Sequence, residues 1–384
     1  MKKPILITAL IVIILIALSV WAYLFLYGTP QNTDDVFARF GIGGEREVPS
    51  VSPEDSIVAV NTTESDISQK LRQLTTRPVA GASFDTTGIR YVEQGTGHLY
   101  QINLQNGIET IISGTTIPHT THAIFSRDAS SVIITSREPG GDSTIVGTVV
   151  TNTSTGGAIE GISLPQGAHE IAFGDASNTV NYLLDTETGS AGYAYNSAKK
   201  ISVQMFASPL RDIRVLWGTP LYVYTTPTAL QRGHLYTVVE NELVYTSSGS
   251  EGLLASRYDE GVMITKNTTS VARAHTGEET KQAFPFIPEK CVINPAQKQS
   301  VYCATPLNRR NETFPDDWYK GALSYSDLLW SIDLGTGGAT PLSDFKTESG
   351  REIDVIKIGT NITGEKLWFI NKNDNTLWLF ESTL

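Results

Sequence analysis

The sequence predicts an all-β protein in which one small sheet recurs seven times, behind a single N-terminal transmembrane helix. Three observations predict this. The 384-residue chain holds 33 glycines and many serines and threonines, with no long helical period. Short apolar strands recur at near-constant spacing from residue 89 onward. Residues 5–27, "ILITALIVIILIALSVWAYLFLY", carry no charge.

The N-terminal run is long enough, at 1.5 Å per helical residue, to cross roughly 30 Å of hydrocarbon. Lys2 and Lys3 precede it, and Trp21, Tyr23 and Tyr27 gather at its far end, where aromatic rings favour the interface. A cleaved signal peptide has a shorter apolar core and ends at a small-residue site. The expectation is therefore an uncleaved single-pass anchor in the cell membrane. Residues 1–4 form a cytoplasmic tail, residues 5–27 the anchor, and everything beyond lies outside the cytoplasm. Residues 28–68, with Pro30, Pro49 and Pro53, show little periodicity and read as a flexible tether. It would reach about 35 Å as a random coil.

Residues 69–384 carry the repeat. Its second strands read "IRYVE", "SVIIT", "TVNYL", "PLYVY", "GVMIT", "SVYCA" and "KLWFI". Their central residues are Tyr91, Ile133, Asn181, Tyr222, Met263, Tyr302 and Trp368, at intervals of 42, 48, 41, 41, 39 and 66. Five of these intervals suit the blade of a β-propeller, at about 40–50 residues. The expected fold is a seven-bladed β-propeller with four-stranded blades. A third strand recurs as "HLYQI", "HLYTV", "LLWSI" and "TLWLF". Strand alternation puts its Leu and its aromatic residue on opposite faces. Both faces of a stacked blade are apolar, so these rings belong to inter-blade packing.

Blade one supplies four strands between Val79 and Ser113, whereas the last blade supplies three between Asp354 and Glu381. An open sheet edge is an aggregation liability. "KLRQLTT", Lys70 to Thr76, has no sheet of its own and stops at Pro78. It is expected to pair with Asn375 to Glu381, closing the ring with strands from both ends of the domain.

"FSRDASSVIIT" from Phe125 and "FGDASNTVNYL" from Phe173 resemble the blade signature of TolB-type and WD-like propellers. The resemblance covers roughly Leu71 to Leu384. Ala and Ser stand where that signature has its turn glycine, and TolB's separate N-terminal α/β domain has no counterpart. No TolB binding residue is therefore carried over. The layout also resembles uncharacterised single-span exported propeller proteins of candidate-phylum bacteria, which implies a location and not an activity.

Cys291 and Cys303 flank "VINPAQKQSVY" in the first hairpin of blade six, symmetric about Gln297. A symmetric hairpin sets them opposite each other, within disulfide range. An export compartment permits the bond; two buried thiols are the other reading.

Chemistry is harder to find. A net charge of −11 argues against a nucleic-acid partner and against lying flat on anionic lipid. "HTTH", His119 to His122, lacks the Glu and helical setting of a zinc protease, and no metal or cofactor is expected. There is no G-x-S-x-G elbow, P-loop or dinucleotide fingerprint. His122, His169, Arg211, Asp212, Glu289, Lys290, Glu352 and Asp354 all fall near the start of an inner strand. Such positions ring the channel mouth. A ligand site and an ordinary wet funnel are both consistent with them.

The long interval comes from "TPLNRRNETFPDDWYKGALSYSD", Thr305 to Asp327, between the second and third strands of blade six. It carries Arg309, Arg310, Trp318 and Tyr319, residue types that dominate interface hot spots. "PDDWYKG" suits a helical turn, with Pro and acids at its start. Partner recognition and structural capping are both open for it. The functional expectation is a non-catalytic scaffold or adaptor that binds an envelope protein or peptide. The alternative is a sugar-binding or hydrolytic propeller using the polar mouth.

Overall fold

The computed structural model describes residues 57–58 and 69–382, apart from 140, 151–157, 177, 267–268 and 307–312. Residues 5–27 lie outside the described residues; among those described, no helix is long and apolar enough to cross a membrane.

Strands β1 (Ile57–Val58) and β2 (Leu71–Gln73) precede the first complete sheet. Blade one is β3 (Val79–Phe84), β4 (Gly88–Glu93), β5 (Leu99–Asn103) and β6 (Glu109–Ser113). Blade two is β7 (Thr120–Phe125), β8 (Ser131–Glu138), β9 (Gly141–Val150) and β10 (Ala158–Ser163). Blade three is β11 (His169–Phe173), β12 (Thr179–Thr186), β13 (Gly189–Asn196) and β14 (Ile201–Ser208). Blade four runs from β15 (Ile213–Leu216) through β16 (Tyr222–Thr225) and β17 (Arg232–Val239) to β18 (Glu242–Glu251). Blade five is β19 (Leu254–Tyr258), β20 (Gly261–Lys266), β21 (Thr269–Ala274) and β22 (Glu279–Lys281). Blade six is β23 (Cys291–Ile293), β24 (Ser300–Pro306), β25 (Asp327–Asp333) and β26 (Ala339–Asp344). Blade seven is β27 (Val355–Thr360), β28 (Lys366–Asn371) and β29 (Leu377–Glu381), with β2 as its outer strand. The protein is thus an all-β, seven-bladed propeller, every ladder antiparallel.

The closure falls where the sequence put it. Leu71 pairs with Phe380, Arg72 with Leu379 and Gln73 with Trp378. The Glu381 N–H donates to the Lys70 carbonyl at 2.8 Å, extending the ladder by one bond. Strand β1, for which the sequence offers no periodic signal, adds to the outside of blade one, Ile57 opposite Thr110.

The core is seven seams between blades. Leu99 packs towards blade two with Val132 and Ile134, while Tyr100, the next residue, packs towards blade seven with Leu377 and Leu379. Leu329 and Trp330 divide in the same way, towards blades seven and five. Leu377 and Trp378 follow suit, towards blades one and six. Period-2 alternation thus makes each third strand serve two seams. Blade three lacks the Leu-aromatic pattern for a visible reason. A Cβ at Gly192 of β13 would lie 2.2 Å from the Phe206 ring, so β14 supplies the large side chain on that face and position 192 must stay glycine, while Tyr193 keeps the aromatic place on the other face.

The turn of "FSRDASS" also shows what replaces its missing glycine. Ala129 takes φ 53°, a left-handed conformation that costs a non-glycine residue about 1–2 kcal/mol. The Asp128 carboxylate offsets this by accepting from the Ser126 hydroxyl at 2.7 Å and from the Ser130 hydroxyl and N–H. These bonds hold its pKa below the usual range.

Cys291 and Cys303 are register partners and form a disulfide, with their Cα atoms 4.1 Å apart. The sequence separation is 12 residues, for which loop closure predicts stabilisation of about 3 kcal/mol. Reduction, or joint substitution of both cysteines by Ala, should lower the unfolding free energy by that order. Identical denaturation curves with and without reductant would refute it.

Candidate functional site

The insertion between β24 and β25 forms a cap on the face where the chain enters each inner strand. Its described part contains helix α1 (Asp316–Tyr319). Phe314, Trp318 and Tyr325 bury themselves against Leu254 and Ile287, an eighth apolar cluster outside the seven seams. Asp316 fastens the cap to blade four, accepting from the Ala229 N–H at 2.6 Å and the Thr228 hydroxyl at 3.0 Å.

Beneath the cap lies a fully buried ionic group. Lys290 Nζ is 2.7 Å from Asp327 Oδ2 and also donates to Asp354 Oδ1; all three side chains are inaccessible to solvent. Asp354 further accepts from Trp318 Nε1 at 3.0 Å, the Tyr325 N–H at 3.0 Å and the Ser324 hydroxyl at 3.1 Å. Asp327 Oδ2 accepts from the Val355 N–H at 2.8 Å, while its Oδ1 has no hydrogen-bond partner among the described residues. Burial, against the pull of Lys290 and aided by Asp354, pushes the Asp327 carboxyl up to about 6.

That shift has a definite sign. Between pH 4 and 6 the folded carboxyl keeps a proton that the unfolded chain, with an ordinary value near 3.9, has released. The contribution of Asp327 to stability therefore rises as the pH falls through about 6 towards 4 and is lost in the other direction, by about 3 kcal/mol. Asp327→Asn should accordingly gain on the wild type by about that much between pH 4 and pH 7. A stability difference that does not vary with pH would count against this protonation.

Beside the cap the inner strands open into a funnel of ≈ 610 Å³ with charged and apolar side chains in its wall. Its wall includes His122 from β7, His169 and Glu170 from β11, Arg214 and Trp217 from blade four, Arg257 from β19 and Lys357 from β27. On one side the charges are linked. Arg214 Nε lies 3.5 Å from Glu170 Oε1, and its guanidinium sits over the Tyr319 ring at 5.5 Å. The Tyr319 hydroxyl donates to Glu289 Oε1 at 2.6 Å. Burial raises the pKa of both Glu170 and Glu289, and Arg214 and Tyr319 oppose it at these two sites. Burial alone would lower Arg214, but Glu170 and its neighbours raise it further, so it stays charged.

On the other side, Lys357 Nζ donates to the Ala80 carbonyl of blade one at 2.7 Å. Burial lowers its pKa to about 8. His122, exposed within the funnel, is lowered to about 4 by the desolvating wall and by Lys357, so its imidazole is neutral near pH 7.

The structure thus brings together only some of the residues singled out by sequence. His122, His169 and Glu289 lie at the funnel or its rim. Arg211 turns aside to the carbonyls of Thr186 and Glu187, and neighbouring Asp212 takes φ 52° in the same loop. Glu352 pairs on the surface with Lys346 at 2.7 Å. Lys290 and Asp354 are under the cap rather than in the ring. Trp318 faces inward, whereas Tyr319 is 36% exposed. Arg309 and Arg310 lie outside the described residues. Glu170, Arg214, Trp217 and Lys357 escaped sequence reasoning. The signal was a charge within a largely apolar first strand, or a Trp just after one, but nothing marked which such residues face the channel. Among the described residues, no group of three His, Cys, Asp or Glu side chains is placed to hold a metal ion.

No family model matches the sequence, and no curated protein matches it. Solved structures match its fold. The β-propeller domain of Cps50 (Swd1) from Myceliophteria thermophila has a TM-score of 0.52 at 9% identity, over 82% of this chain and 100% of that one. An oligogalacturonate lyase in complex with manganese reaches 0.55 at 9% identity, over 81% and 93%. The β-propeller domain of the Trilobed protease from Pyrococcus furiosus reaches 0.51 at 9% identity, over 79% and 95%. That domain has an open velcro topology, whereas β2 closes the ring here. At such identity these likenesses speak to the fold alone, and the fold they share with this chain is the β-propeller.

Proposed function

We propose that the protein is a non-catalytic binding propeller of the bacterial cell envelope. Residues 5–27 anchor it in the membrane, and the stretch between the anchor and β1 tethers it, since Ile57–Val58 pair with blade one. The face made by the cap and the funnel mouth receives an envelope protein or peptide. The observation that supports this reading is the construction of the cap. Asp316 ties it to blade four and Trp318 ties it to Asp354, yet Tyr319 stays partly exposed at the funnel rim. Loops held by a rigid scaffold are where propellers and other folds place recognition.

Site-specific photo-crosslinking in cells tests it. A crosslinking side chain at position 319 should trap a defined partner, and one at Val244, on the outer edge of blade four, should not. Equal products at both positions, or none at 319, would sink the reading. The funnel's size favours a second reading, a small sugar-like ligand bound or hydrolysed there. Loss of a hydrolytic activity in His122→Ala or His169→Ala, with melting unchanged, would replace the scaffold reading with that one.

A further inference from the structure

The charges of the funnel do not balance. Glu170 has Arg214 at 3.5 Å, and Asp142 has Arg137 at 3.6 Å. Arg257 spends its guanidinium on the backbone carbonyls of Thr219, at 3.0 Å, and Pro220, bracing blade five against blade four. Lys357, like Arg257, has no carboxylate within ion-pair distance among the described residues. It differs from Arg257 in that a single hydrogen bond to a neutral carbonyl is the one its ammonium makes there. His122, on the inner strand two blades along, feels its charge and stays uncharged.

Lys357 is half-buried, and partly desolvating an ammonium that has no counter-ion is costly. This chain carries a net charge of −11, so acidic side chains were not scarce. Lys357 nonetheless faces a funnel with two of its three N–H donors uncommitted, beside an imidazole that can donate another. Ile124, Ile171 and Phe173 supply an apolar wall next to them.

We infer that the funnel binds the carboxylate of an organic anion, with Lys357 as its counter-ion and His122 as a hydrogen-bond donor. The surplus of the wall is positive, which selects an anion, and Lys357 rather than Arg257 keeps donors to meet it. One ammonium beside one imidazole suits the two oxygens of a carboxylate. The cavity is far larger than a carboxylate, so the rest of the ligand lies along the apolar wall. A peptide C-terminus and a small sugar acid share this chemistry. The inference rests on the funnel mouth being a binding face.

Calorimetric titration of the full chain tests it with two matched pairs of probes. One pair is a short apolar peptide with a free or an amidated C-terminus; the other is glucuronate and glucose. In at least one pair the acid should bind about tenfold or more tightly than its neutral partner, a difference of about 1.4 kcal/mol. Which pair responds distinguishes a chain end from a sugar acid. Lys357→Met should abolish the preference while melting no lower than the wild type, since it removes a desolvated charge. Lys357→Gln serves the same purpose if the Met variant does not fold. Equal binding of acid and neutral probe, no binding of either acid, or an acid preference that survives both substitutions would each overturn the inference. Failure here with specific crosslinks still formed at position 319 would remove the carboxylate and leave the partner-binding face standing.

Discussion

Asp354→Ala is expected to lower the stability of the propeller by about 3–5 kcal/mol, as breaking one partner from a buried ion pair does. The substitution leaves Lys290 with a single carboxylate in a site closed to water. It also strips the acceptor from Trp318 Nε1 and from the Tyr325 N–H, two buried donors that fix the cap. An orphaned buried donor costs about 1–3 kcal/mol by itself. The two losses share one network and will not simply add. Urea unfolding at fixed pH measures the total. Limited proteolysis at exposed Lys320 measures the cap alone, and should accelerate in the variant. A change below about 1 kcal/mol with unaltered proteolysis would mean the buried charges contribute little.

The second large effect belongs to the closing strand. Leu71 is 5% exposed and packs in the seam between blades six and seven with Phe380 and Trp378. Leu71→Ala should cost about 2–4 kcal/mol through lost burial and the cavity left behind. Deleting residues 69–76 should cost more, because it also strips β29 of its ladder partner and of the Arg72–Glu381 contact at 3.3 Å. Melting should fall by about 5–10 °C or more in the deletion. A deletion that melts with the wild type would show that the ring is held without its closure.

Much of the fold was legible because a blade is a local object. Four short strands, their turns and their alternation lie within one stretch of chain, so blade boundaries, the Leu-aromatic pairs and the Cys291–Cys303 register could be read directly. The closure was legible for a different reason: three strands at one end and an orphan at the other leave one solution. The funnel was not legible, because its inner strands break the rule used to read the others. β3, β7, β11 and β27 each carry a register shift near their start, at Val79/Gly81, Thr120/His122, His169/Ala172 and Val355/Lys357. A bulge re-aims the side chains beyond it. Strict alternation therefore misassigns which of two neighbours meets the channel, as it does for Lys357. The burial of Lys290, Asp327 and Asp354 escaped for another reason. It depends on the cap folding back over blades six and seven, a tertiary contact with no local trace.

Strand β2 also sets the order in which this domain can be completed. Arg72 and its partner Glu381 are 309 residues apart, so β2 leaves the ribosome long before β29 exists. At ordinary synthesis rates of about 5–20 residues per second, that interval is about 15–60 s. Blades one to six can form hairpin by hairpin in this time, but Leu71 has nowhere to go. The last event in folding is then a contact of very long range, whose rate is limited by search and not by local propensity. Until it happens, the edge of β29 has no partner, and a helper that shields strand edges during synthesis or export would act at this step.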